Sequence, residues 1–160
     1  MTVDKHAAIR TLLQNILREF GIREISEATS PEQGFETFNA TNPDLVLTDW
    51  APNFDGLNLV RKIRNDEASQ NPHAPILMIT AFNEDNHLDQ AMDAGMTEYL
   101  SKPLSPKLLY MRIASVIENK RPFIRTNRFL GHDRRRFHKP LQGPDRRTNA
   151  QNEKLSYETI

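Results

Sequence analysis

The feature that most constrains this chain is Leu45-Val46-Leu47-Thr48-Asp49, an apolar run that drives straight into an acid. A loop, Trp50-Ala51-Pro52-Asn53-Phe54-Asp55-Gly56, follows at once. A short apolar run bounded by turn residues predicts a strand buried on both faces, as in a parallel sheet. The carboxyl end of such a strand opens into the crevice where open α/β sheets bind ligands. Asp49 is therefore either delivered to a site or used locally to cap the loop or the next helix, a frequent task of Asp.

The rest of the chain alternates around that strand. Met1–Val3 supplies only the end of a first strand before Asp4. Ile9, Leu12, Leu13, Ile16, Leu17 and Phe20 repeat at helical spacing, and Gly21 closes that helix. Residues 22–28 predict a second strand. Ser30-Pro31-Glu32-Gln33 predicts a helix start, with Ser as N-cap, Pro at the first helical position and Gln at the capping-box position. Leu57, Leu59, Val60 and Ile63 mark a third helix, and Pro75 to Thr80 a second continuously apolar strand. A helix over residues 83–94, a strand over 97–101 and a helix from Ser105-Pro106 complete the series. Strict alternation of strand and helix predicts a doubly wound parallel sheet of five strands covered by helices on both faces, its first strand truncated.

Composition narrows the function. There is no cysteine among the 160 residues, which excludes disulfides, thiolate metal sites and a Cys nucleophile. No run reaches the length of a membrane span and the amino end lacks a signal-peptide core, so a cytoplasmic protein without a membrane partner is expected. Net charge is zero but uneven: residues 1–120 carry 11 Lys/Arg against 17 Asp/Glu, and residues 121–160 carry 10 against 4. The predicted division is an acidic domain, 1–120, and a basic flexible tail, 121–160.

The carboxyl ends of the predicted strands bring Asp4, Asp49, Thr80 and Lys102 together. Two carboxylates can hold Mg²⁺ through hard oxygens, and a cation with a hydroxyl can hold a phosphoryl group. Each residue also has a plain reading: Asp4 as a cap, Thr80 as a strand residue, Lys102 as a solvated charge. The set is harder to explain that way than its members.

The ordered residues Val3-Asp4, Asp49…Pro52…Asp55-Gly56, Thr80-Ala81, Asp93-Ala94-Gly95 with Tyr99, and Lys102-Pro103 resemble the receiver domain of two-component response regulators, the CheY-like superfamily. The resemblance covers about three quarters of the chain and implies the flavodoxin-like variant of the doubly wound sheet. It implies a bacterial, single-domain signalling protein in a phosphorelay, a phosphoprotein rather than an enzyme. Asp49 becomes the phospho-acceptor, a carboxylate nucleophile toward phosphohistidine. Asp4, Asp49 and the Ala51 carbonyl become ligands of Mg²⁺, Lys102 the phosphoryl counter-ion, and Thr80 and Tyr99 the switch residues. Lys102-Pro103 is expected to be cis. The implied partners are a sensor histidine kinase or phosphotransfer protein, and a downstream protein that reads the fourth helix, fifth strand and fifth helix.

Three departures bear on the chemistry. Where the family has a second acid after the first strand, Lys5 stands, which removes a metal ligand and adds positive charge. Weaker or absent Mg²⁺ binding follows, with Lys5 itself a candidate to take the metal's place. The loop after Asp49 lacks the Met that precedes Pro in the family. Most of the first strand is missing, unless the native start lies upstream of Met1, which sequencing the native amino terminus decides. The alternatives are a degenerate receiver that binds partners without phosphorylation, and a nucleic-acid-binding regulator acting through residues 121–160. That tail holds the near-repeat Gly131-His132-Asp133-Arg134-Arg135 and Gly143-Pro144-Asp145-Arg146-Arg147, with Phe123, Phe129 and Phe137 among its arginines.

Overall fold

Every residue of β3 (Val46–Trp50) and β4 (Ile76–Thr80) is buried, in a computed structural model that describes residues 1–81, 85–118, 123–126, 129–132 and 156–158. Around these two strands lie β1 (Thr2–Val3), β2 (Glu27–Ala28) and β5 (Glu98–Ser101), in the parallel order β2-β1-β3-β4-β5. The helices are α1 (Ala7–Glu19), α2 (Pro31–Thr41), α3 (Gly56–Asn65), α4 (Asp85–Asp93) and α5 (Pro106–Glu118).

Alternation along the strands assigns the two faces. Val46, Ile76 and Met78 pack with Phe38 of α2, Leu59, Val60 and Ile63 of α3, and Ala91 of α4. Leu47, Leu77 and Ile79 pack with Leu13, Ile16 and Leu17 of α1 and with Leu109 and Ile113 of α5. Each such side chain contributes about 1.5–3 kcal/mol on burial, so both faces stabilise the sheet and fix its register. The doubly wound sheet expected from the alternation is observed, in the flavodoxin-like order that the resemblance implies.

The short first strand has a visible consequence. Thr2 pairs with Glu27 and Leu47, and Val3 with Ala28 and Thr48. Met1 extends this ladder, its amine donating to the Leu45 carbonyl at 2.9 Å and its carbonyl accepting from Leu47 N–H at 2.9 Å. Burial pushes that amine down to about 6, with the Asp44 carboxylate opposing the shift. The second strand, expected over 22–28, is only two residues long, because a strand at the sheet edge extends no further than its partner. Helix signals hold closely: the Ser30 hydroxyl accepts from Gln33 N–H, and Gly21, at φ +86°, ends α1.

Beyond residue 120 only short stretches are described. Those stretches form β6 (Phe123–Thr126), β7 (Phe129–His132) and β8 (Ser156–Glu158), an antiparallel sheet in the order β7-β6-β8. Phe123 is fully buried. The Arg64 guanidinium lies over its ring at 5.3 Å and the His73 ring meets it edge-on at 4.8 Å. The first described strand after α5 thus contacts α3 through Phe123 and Arg64. Asp133 to Arg135 and the second copy of the near-repeat, like Phe137, lie outside the described residues.

Candidate functional site

β3 carries Asp49 into the crevice at the carboxyl edge of the sheet, where its side chain is almost wholly buried. The chain then turns through a small bridge in which Ala51 N–H donates to the Phe54 carbonyl and Phe54 N–H donates back to that of Ala51. Asp55 caps α3 by accepting from Asn58 N–H at 3.1 Å. This return packs Gly56 against the start of the loop so closely that a Cβ there would lie 1.9 Å from the Asp49 carbonyl oxygen. Asp55-Gly56 is therefore a structural requirement for the placement of Asp49, the glycine for want of room and the acid as a cap.

β1 delivers Asp4, also buried, beside Asp49. Its backbone is held by Arg10, which donates to the Asp4 carbonyl at 2.8 Å from the first turns of α1. Lys102 follows β5, anchored by its N–H on the Thr80 carbonyl at 2.8 Å, with a cis bond to Pro103 as expected. Its Nζ donates to Asp49 Oδ1 at 2.7 Å and stands 3.7 Å from Asp4 Oδ2. One ammonium thus offsets two carboxylates that would otherwise repel each other in a poorly solvated crevice.

Thr80 sits beside Trp50 in the ladder between β4 and β3, and its hydroxyl donates to the Trp50 carbonyl at 3.1 Å. Tyr99 stands one strand further out, half-buried, with the Arg112 guanidinium 5.5 Å from its ring and Arg112 also paired to Glu98 at 3.4 Å. The sequence-predicted residues therefore divide into two groups: Asp4, Asp49 and Lys102 meet directly, and Thr80 and Tyr99 lie behind them toward α4 and α5. Lys5 is exposed; the cation between Asp4 and Asp49 is Lys102. The idea that Lys5 fills a metal's place is corrected accordingly.

The sequence reading missed His6. The Asp4 carboxylate accepts from the His6 backbone N–H at 2.7 Å, an Asx-turn into α1 that brings the His6 ring back to the same oxygen, with Nδ1 at 3.0 Å. Ligand atoms of Asp4, His6 and Asp49 all lie within 4.8 Å of one another. Asp49 Oδ2 is buried without a hydrogen-bond partner, an acceptor that a cation would satisfy, so the donor set fits a divalent cation. An Asp followed two residues later by His before a helix was the available signal, and it is a weak one.

The profile of the response regulator receiver domain matches residues 1–114. The chain is 30% identical to chemotaxis protein CheY of Pseudomonas aeruginosa over 119 residues, which cover 74% of this chain and 94% of that one. It is 32% identical to the phosphate regulon transcriptional regulatory protein PhoB of the same organism, over 76% of this chain and 52% of PhoB. In three dimensions it resembles a two-component response regulator from Clostridium difficile, with a TM-score of 0.64 and 28% identity over 74% of this chain and 93% of that one. These likenesses do not favour the phosphorylation-independent or nucleic-acid readings. No helix among the described residues is long and apolar enough to cross a membrane.

Proposed function

We propose, for a chain that belongs to the response regulator receiver domain family, that Asp49 accepts a phosphoryl group from phosphohistidine on a sensor kinase or phosphotransfer protein. The observation that carries this reading is the pairing of a buried carboxylate, one oxygen of which lacks a partner, with an ammonium 2.7 Å from the other. A buried anion held in one geometry by a neighbouring cation is a positioned nucleophile.

In the transfer, an Asp49 oxygen forms the new O–P bond as the P–N bond to the donor imidazole breaks. The imidazole leaves with the bonding pair and its nitrogen takes up a proton. Lys102, already beside the carboxylate, turns its ammonium to the phosphoryl oxygens and offsets their added charge. Asp4, Asp49 and the Ala51 carbonyl are the proposed holders of a divalent cation, Mg²⁺ in the family. When bound, that cation supplies charge neutralisation between carboxylate and phosphoryl oxygens. The Ala51 carbonyl already accepts from Phe54 N–H at 2.9 Å and keeps one lone pair for a second partner.

The signal then leaves by Thr80. Its hydroxyl exchanges the Trp50 carbonyl for a phosphoryl oxygen, and Tyr99 with its stacked Arg112 follows into the space Thr80 leaves. The surface made by α4, β5 and α5 is the proposed contact for a downstream protein. The working unit is a cytoplasmic receiver spanning residues 1–120 with a basic segment appended, acting as a phospho-acceptor. Acetyl phosphate or phosphoramidate labelling, with and without Mg²⁺, tests this by intact mass. One phosphoryl group gained with Mg²⁺ and lost in Asp49→Asn is expected; labelling that survives Asp49→Asn overturns the assignment.

A further inference from the structure

The crevice holds an unusual donor set for a site that relies on hard oxygens. Asp4 and Asp49 present carboxylate oxygens, both side chains almost fully buried, and the third donor is an imidazole nitrogen of His6. Carboxylate oxygens alone suit Mg²⁺, which demands near-ideal octahedral geometry and keeps much of its water. An imidazole suits first-row transition metals, whose affinity for mixed nitrogen and oxygen sites rises from Mn²⁺ toward Cu²⁺. We propose that this crevice takes a first-row transition-metal dication in preference to Mg²⁺, with His6 as the ligand that sets the preference.

Three observations support the assignment. The Asx-turn pins the His6 backbone to Asp4, so the ring is directed by the fold even though its side chain is 57% exposed. Asp49 Oδ2 has no partner and Lys102 occupies Oδ1, so the ammonium and a dication can share the carboxylate through different oxygens. The three donors span 4.8 Å at most, close to the roughly 4 Å across a metal with bonds of about 2.1 Å. Three protein donors leave further coordination positions of a first-row dication for water or a phosphoryl oxygen. The inference deepens the proposed role of Asp49 and rests on it for its purpose, but metal binding is measured without any phosphoryl donor. Failed labelling and failed metal selectivity are therefore separate results.

Co²⁺ and Mg²⁺ are titrated into the full chain and into His6→Ala, His6→Asn and Asp49→Asn, read by the fluorescence of Trp50, the chain's one tryptophan and the neighbour of Asp49. Mg²⁺ is read by competition against Co²⁺. His6 stands at the N-cap of α1 without a capping bond from its side chain, and Asn is a favoured cap, so His6→Asn preserves the fold while removing the imidazole. The expected result is a loss of about tenfold or more in Co²⁺ affinity in both His6 variants, with Mg²⁺ affinity changed less than about threefold. Asp49→Asn is expected to weaken both cations. Co²⁺ affinity unchanged in the His6 variants, or a Co²⁺ response that survives Asp49→Asn, overturns the proposal.

Discussion

Lys102 is the residue on which the electrostatics of the crevice turn. Its ammonium is the counter-ion to two buried acids, 2.7 Å from Asp49 and 3.7 Å from Asp4. Truncation to a neutral chain leaves two carboxylates together with little water between them. Lys102→Met is expected to cost about 2–3 kcal/mol, below the full penalty for breaking a buried pair because the lysine is partly exposed. Urea unfolding measures this, and an unchanged midpoint contradicts it. That Asp4, Asp49, Thr80 and Lys102 share one edge of the sheet was legible in the sequence because each lies at or just after the carboxyl end of a predicted strand, and strand ends converge by topology. His6 was not, since its place comes from an Asx-turn and a ring rotation that no periodicity encodes.

The helices and strands carry the next layer of constraint. The start of α3 folds back on β3 so tightly that Gly56 has no room for a side chain. Gly56→Ala forces backbone apart at the Asp49 carbonyl and is expected to destabilise by several kcal/mol, about what overpacking of a closed core costs or more. Thermal unfolding checks it, with a neutral result contradicting the close approach. At the other end of α3, Arg64 is buried with no carboxylate paired to it among the described residues, and desolvation pushes its guanidinium down to about 9. It donates to the carbonyls of Gly95, Pro72 and Ala74, at 2.9, 2.7 and 2.8 Å, and Phe123 covers its face. Phe123→Ala opens that cluster and is expected to cost about 3–5 kcal/mol, measurable as a lowered denaturation midpoint. The strand bearing Phe123 was not legible, because its stability comes from contacts with α3 and not from an apolar pattern of its own. The central strands were, since burial on both faces leaves a continuous apolar run.

Across the whole molecule, an acidic α/β unit is joined to a basic segment whose described strands form a second sheet, with β7 packed beside α3 and α4. The alternating order of elements made the fold legible, and the two-residue β1 limited how much of β2 could be. That same short strand leaves the Met1 amine buried, and desolvation lowers its pKa from the ordinary 8.0 to about 6. Between those values the unfolded chain binds the proton and the folded chain does not. The contribution from the neutral amine is therefore complete above pH 8 and falls by about 2–3 kcal/mol as pH drops through 6. Urea unfolding of the 160-residue chain across that interval tests the sign, and a contribution that grows toward pH 6 contradicts it. The central claim concerns Asp49, and locating the label tests it most directly. After acetyl phosphate treatment with a divalent cation, borohydride reduction converts an aspartyl phosphate to homoserine, which peptide mass mapping finds. Conversion at residue 49 is the predicted result; conversion at another acid, or at none, contradicts the account.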